Sequence, residues 1–470
     1  MVFYTGTFGS ELTATLTETD NGLHASDVTV TFNPNNENAA AIHFGDVTLV
    51  ELPDGSVALE YPEKQQIKFQ ELVQGESEAA TFRLDRTGLI MKASGSPGDV
   101  TYTTTADMFE FELLEAQFEP ENTQLDKFEV AIFSQGLTAT VRVNTTSGIE
   151  QTARHDQLKF TMDIAQNGEE RQTISYSARN AETGYDIGFP ENKFRWSELS
   201  SSLRDGLKLG FNIGAEASDA TAIFHDPETP PILMEVSVEN SLNAYALDLS
   251  GLQYKTEQQN LDLVFTEMSG DIPPISTTLG KFGLQVLMPV LASETAQSTT
   301  IAAQAENLQI AALLWDMVDP EKNLPRDPMN FLIDLEYMIT TNTGFFDLDK
   351  PNPGVEPTVM IDTVEIRDVL ISGLGVNLVG DGKVAIDFDG MEPFSGVPNF
   401  GGKASFRLSG AYGLLERLLH MNFMTAEDAF GVRAALGMVM KPDGGPDDLV
   451  SEIEADRETG AITVNGLRIR

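Results

Sequence analysis

Alternation of apolar and polar residues recurs along this chain and limits its fold more than any other feature. Thr13–Thr17, Asp27–Phe32, Asp46–Val50, Ala80–Leu84 and Thr138–Val143 all alternate, with β-branched residues prominent. A period of two puts one class of side chain on each face of a strand, so half-buried antiparallel strands are expected. Asn21-Gly22, Asp54-Gly55, Asn167-Gly168, Asp381-Gly382 and Asp389-Gly390 lie between such runs. These pairs reach positive φ at little cost and favour tight hairpins. The expected fold class is mainly β with a few helices: long antiparallel meanders forming curved open layers, with helices packed on the sheet.

Helical spacing appears in three places. Trp196–Leu207 carries Trp196, Leu199, Leu203 and Leu207, and Leu308–Val318 ends at Asp319-Pro320. The third stretch, 412–440, has Leu414, Leu415, Leu418 and Leu419, then Phe430, Ala434, Met438 and Val439. Thr425 and Asp428 have the spacing of a capping box. Both apolar stripes are expected to pack on the protein's own sheet, with Leu415 and Leu419 buried. A boundary within Glu182–Glu191 is expected to divide an N-terminal β-meander region, 1–190, from a C-terminal region, 191–470, that carries the helices. Asp226–Pro231 and Asp349–Pro357 read as loops, and Gly373-Leu374-Gly375 as a bend within a strand.

The 470 residues include 72 acidic and 30 basic ones, a net charge of −42, and no cysteine. Nucleic-acid partners are not expected, because neutralising phosphates takes clustered Lys and Arg. Lack of cysteine removes disulfides, thiolate nucleophiles and thiolate-bound metals. The longest apolar runs, Phe282–Ala292 and Phe430–Met440, fall short of the roughly 20 residues that span a bilayer. Residues 1–30 lack a signal-peptide pattern, so either a cytosolic protein or a leader outside this chain is expected.

Catalytic motifs are sparse. His155-Asp156 and His225-Asp226 are neighbours in sequence, but neighbours on a strand face opposite ways. There is no Gly-x-Ser-x-Gly elbow, no phosphate loop and no His spacing suited to zinc. Asp347/Asp349 and Asp387/Asp389 read as solvated turns rather than cation sites. Trp196 and Trp315 sit on helical apolar faces and offer no sugar platform. No catalytic residue, metal site or cofactor is therefore expected.

The C-terminal part resembles a known family. The residues are Leu313-Leu-Trp-Asp-Met-Val-Asp319-Pro320, Leu324-Pro-Arg-Asp-Pro328, Leu414-Leu-Glu-Arg-Leu-Leu419, Ala426-Glu-Asp-Ala-Phe-Gly-Val-Arg433, Pro442-Asp-Gly-Gly and Val464-Asn-Gly-Leu-Arg-Ile-Arg470. In order and spacing over 285–470 they are similar to the DUF2125 family, an alphaproteobacterial domain of unknown function. That resemblance implies export to the periplasm or envelope, and it supplies no catalytic residues. Within Leu324–Pro328 the two prolines imply a rigid helix-to-strand connector. Arg326 either pairs with Asp327 or meets the carbonyl end of the preceding helix.

The expected function is that of a non-enzymatic envelope protein that binds a lipid, another hydrophobic ligand or an envelope protein on a curved sheet. By fold-level analogy this resembles AsmA-like lipid-handling proteins. Alternation nominates Ile232, Met234, Val236 and Val238, then Leu247 and Leu249, as the apolar contact face. The competing expectations are a carboxylate-dependent hydrolase of glycans or esters and a purely structural or interaction protein.

Overall fold

The computed structural model describes residues 10–32, 38–73, 76–117, 125–166, 170–192, 194, 198–347, 358–387 and 398–469. Contacts divide the chain into Met1–Leu249 with Leu263–Pro274, and Ser250–Asp262 with Ile275–Arg470.

The first unit contains β1 (Ser10–Thr19), β2 (Gly22–Phe32), β3 (Asn38–Glu51), β4 (Val57–Glu60), β5 (Lys64–Val73), β6 (Glu76–Thr87) and β7 (Ile90–Ser96). Long strands follow: β8 (Asp99–Gln117), β9 (Leu125–Asn144), β10 (Gly148–Gln166), β11 (Glu170–Gly188), β12 (Lys208–Asp226) and β13 (Thr229–Asp248). From β8 to β13 each strand pairs antiparallel with the next, as a meander. Helix α1 (Leu199–Arg204) interrupts the run between β11 and β12. The expected boundary near 190 separates nothing here, because β11 and β12 pair across it from Arg171↔His225 to Gly188↔Lys208. Leu203 and Leu207, buried in the connection, tie it to the first unit.

The second unit holds most of β14 (Gly251–Glu267), then β15 (Ile275–Met288), β16 (Ser293–Leu308), α2 (Ala312–Val318), β17 (Met329–Thr341), β18 (Val359–Gly373), β19 (Val376–Asp387) and β20 (Asn399–Ser409). Helices α3 (Ala411–His420) and α4 (Ala426–Val439) precede β21 (Lys441–Pro442), β22 (Asp448–Ala455), β23 (Ile462–Val464) and β24 (Leu467–Arg468). Strands β15 to β20 pair in succession, and β22 continues from β20.

A line of bends crosses the long strands of the first unit. Gly136 in β9, Asn180 in β11 and Asn240 in β13 have positive φ. Glycine and asparagine tolerate that conformation, and a bulge there bends its strand. At Gly136 a Cβ would lie 2.1 Å from an Asp156 carboxylate oxygen, so a larger residue would have to displace that side chain. Asn180 Nδ2 donates to Glu216 Oε2 at 2.6 Å across the same line. Each bend reverses the alternation. On β11, Tyr176 and Ala178 before it share a face with Ala181, Thr183 and Tyr185 after it. Ala178, Ala181 and Ala215 form one buried cluster against Leu158 and Tyr176. Buried residues along the crease are mostly small, among them Ala106, Ser134, Ala153 and Ser218.

Asn21-Gly22 and Asp54-Gly55 lie at the β1–β2 and β3–β4 turns. Asp381-Gly382 instead lies inside β19, where Gly382 makes room for Ala404 of β20. Gly373-Leu374-Gly375 is not a bend within a strand but the β18–β19 turn. Leu374 and Gly375 both have positive φ there, as a tight hairpin requires. The loop expected at Asp226–Pro231 shrinks to a two-residue turn, with Thr229, Pro230 and Pro231 already in β13. Asn167-Gly168, Asp389-Gly390, Asp349–Pro357 and Trp196 lie outside the described residues.

The connector after α2 is organised by Asp319, which is fully buried. Its carboxylate accepts from the backbone N–H groups of Asn323 and Leu324 at 2.9 and 2.7 Å. Burial works against the charged form, but these donors, with Asn323 Nδ2 and Arg326, hold the carboxyl below its usual range. Arg326 takes the second expected course: Nη2 donates to the Asp319 carbonyl at 2.8 Å and Nη1 pairs with Asp316.

The capping box at α4 is formed by Thr425 and Asp428. Its expected packing is not. Leu415 of α3 is 7% exposed and Leu419 half-buried, whereas Phe430 and Met438 of α4 are 72% and 74% exposed, and Val439 is exposed too. Only Ala429 of α4 is buried. Apolar residues occur all round this helix, so no single face can bury them together.

Candidate functional site

Cross-strand partners share a face, so the register of β8–β13 assigns every side chain to one side. One face carries Phe128, Val130 and Ile132 of β9, Phe160, Met162 and Ile164 of β10, and Ile174 and Tyr176 of β11 on one arm of the crease. On the other arm it carries Val141 and Val143, Ile149, Tyr185 and Ile187, and Leu209, Phe211 and Ile213. Over Ile149–Ile164, Gln172–Ile187, Leu209–Phe224 and Ile232–Leu247, no Asp, Glu, Lys or Arg lies on it. The charges occupy the opposite face, where Arg171 and Lys127 grip Asp163 and hold its carboxyl far below the usual range.

The nominated residues fall on this uncharged face. Ile232, Met234, Val236 and Val238 stand opposite Phe224, Ala222, Ala220 and Ser218 of β12. By strict alternation Leu247 would face the other way. The bend at Asn240 restores it, and Leu247 stands opposite Leu209. Leu249 follows just beyond β13 and is exposed.

This face is not closed like a core. Val238 is buried at the crease, but Ile232, Met234, Val236 and Leu247 are only half-buried. Phe211 and Tyr245 are 47% and 49% exposed. Val141, Gln151, Tyr185, Phe211 and Tyr245 form one continuous row over five strands. At the Val141 end lies a cavity of about 580 Å³, lined by Leu59, Tyr61, Met91, Tyr102, Val141 and Val143 among others. Among the described residues no charged one lines it. Its size is that of a small-molecule pocket.

Sequence reasoning missed Arg86. The register puts it beside Phe109, which stands beside Ser134, so it belongs to the crease row of the uncharged face. The signal was present: Phe82, Leu84 and Arg86 alternate, and the third member breaks the apolar pattern. Arg86 is 7% exposed. Nε donates to the Pro62 carbonyl at 2.9 Å, Nη2 bonds the Gln65 side chain, and the guanidinium lies 4.8 Å from the centre of the Tyr61 ring. Burial pushes the guanidinium down and the Tyr61 phenol up, with each charge partly offsetting the other's shift.

Ser134 and His155 meet at the crease, Oγ to Nδ1, at 2.7 Å. Burial lowers the imidazole's pKa, and no carboxylate among the described residues contributes. Asp156 instead sits against Gly136. Among the described residues no group of three or more His, Asp or Glu is arranged to hold a metal ion. Asp349 and Asp389 lie outside those residues. No described helix is long and apolar enough to cross a membrane.

The second unit repeats the segregation. Phe282, Ala305, Phe331, Ile371, Leu378, Leu408 and Leu449 form one cross-strand row. On the opposite face Glu336, Glu365, Lys383, Lys403 and Glu454 form another, with Lys383–Glu365 and Lys403–Glu454 ion pairs at 2.6 Å. Comparison with protein-family models, curated proteins and solved structures finds no match to this chain.

Proposed function

We propose that this is a non-enzymatic protein of the bacterial envelope that holds the acyl chains of a lipid, or a similar hydrophobic ligand, along the uncharged face of β8–β13. The observation that carries the reading is that face itself: continuous, free of Asp, Glu, Lys and Arg over its central stretches, and half-open to water. An ordinary core buries such residues, and a large exposed apolar patch marks a binding surface. The envelope location rests on the resemblance of residues 285–470 to the DUF2125 family. The non-enzymatic reading rests on the Ser134–His155 pair, shorter than the His24–Thr48 and His43–Thr29 contacts, which no carboxylate orients among the described residues.

Diphenylhexatriene, a neutral apolar dye that fluoresces in hydrocarbon, tests the reading. The protein should raise its fluorescence saturably at micromolar concentrations. Enhancement no greater than that given by an unrelated acidic protein of equal size would contradict the proposal.

A further inference from the structure

Resting on that reading, we infer that the ligand is an amphiphile with an anionic head, and that Arg86 anchors the head at the Tyr61 end of the apolar cavity. Three observations converge. Arg86 is buried, yet no carboxylate pairs with it among the described residues. A buried charge without a counter-ion is costly, and an arriving anion offsets that cost. Tyr61 belongs both to the cavity wall and to the surroundings of Arg86, with its ring centre 4.8 Å from the guanidinium carbon. Arg86 itself is not part of the cavity lining, so an anion at the Tyr61 end meets its charge across that ring. Finally, the uncharged strand face leads away from the cavity through Val141, Tyr185, Phe211 and Tyr245. Head at the cation and chain along the row use both features.

The chain's net charge of −42 repels anions at long range. Screening confines that repulsion to about 8 Å at physiological salt. Local recognition by one desolvated guanidinium can therefore outweigh it. Carboxylate and phosphate share the required chemistry, a compact anion facing a guanidinium whose Nε and Nη2 already donate to Pro62 and Gln65.

The test compares ligands with equal chains. Palmitate against hexadecanol, and lysophosphatidate against monoacylglycerol, each displace bound diphenylhexatriene from the parent protein. At least one anionic member should do so at about tenfold lower concentration than its neutral counterpart, about 1.4 kcal/mol. The pair that discriminates tells a fatty acid from a phospholipid. In Arg86→Gln the preference should fall to within about twofold while the neutral ligands keep their affinity, and Arg86→Lys should retain part of it. Arg83→Gln changes net charge equally on the opposite face, where Arg83 pairs with Glu112, and should leave the preference intact. Equal displacement by charged and neutral ligands in the parent overturns the anchor while the acyl-chain reading stands. So does an unchanged preference in Arg86→Gln. Failure of the parent to bind the dye rejects the acyl-chain reading instead. If Arg86→Gln does not fold, the ligand comparison on the parent decides.

Discussion

Phe211→Glu is expected to weaken diphenylhexatriene binding at least tenfold while costing only about 1–2 kcal/mol of stability. Phe211 and Tyr245 are cross-strand partners, each about half-exposed, in the middle of the uncharged row. A carboxylate at either position keeps much of its water in the free protein, so folding tolerates it. A hydrocarbon chain lying on the row would strip that water away, and binding bears the desolvation cost. Tyr245→Glu should behave alike. Ala178→Glu, at a fully buried crease position, is the contrasting case: the charge has no route to water, and unfolding is expected. Denaturant midpoints and dye titrations on the three variants separate a ligand track from a core. If Phe211→Glu unfolds the protein as Ala178→Glu does, the face is a core. If it leaves dye binding intact, the ligand lies elsewhere.

In the C-terminal helix pair, Leu415→Ala should cost about 2–5 kcal/mol and Phe430→Ala less than about 0.5 kcal/mol. Helix α3 is held in place: Asp447 accepts from the N–H groups of Tyr412 and Gly413 at 2.7 and 2.9 Å, and Leu415 is buried. Helix α4 buries only Ala429 within its span, so truncating Phe430 removes little packing. Urea midpoints, with the denaturant slope as a check, measure both. Comparable losses in the two variants would mean that α4 packs as α3 does.

Alternation made the β architecture legible, because period two is a direct consequence of strand geometry. It also grouped Ile232, Met234, Val236 and Val238, which the register places opposite Phe224, Ala222, Ala220 and Ser218 of β12. What it left out was the reversal at Asn240, without which Leu247 points the other way. An asparagine between a glutamate and a serine, as in Glu239-Asn240-Ser241, gives no local sign that it will turn to positive φ. That choice depends on the neighbouring strands, which bend along the same line. The extent to which the face stays open was illegible for a different reason. A core strand and an open strand need the same pattern, and only exposures such as those of Phe211 and Tyr245 tell them apart. Helix α4 shows the converse failure. Its apolar content read as core, yet residues spread all round a helix cannot define one buried side. Arg86 was visible only as a broken pattern, and its meaning came from Tyr61, distant in sequence but adjacent in space.

If acyl chains lie on the uncharged face of β8–β13, a reactive hydrocarbon should label that face. Photo-crosslinking with a hexadecyl diazirine, followed by peptide mapping of the labelled protein, tests it most directly. Adducts should concentrate on peptides carrying Ile132, Tyr185, Phe211, Met234 and Tyr245, and excess unlabelled amphiphile should suppress them. Adducts confined to the exposed α4 residues Phe430 and Met438, or spread without suppression over the charged faces of the strands, would contradict the account.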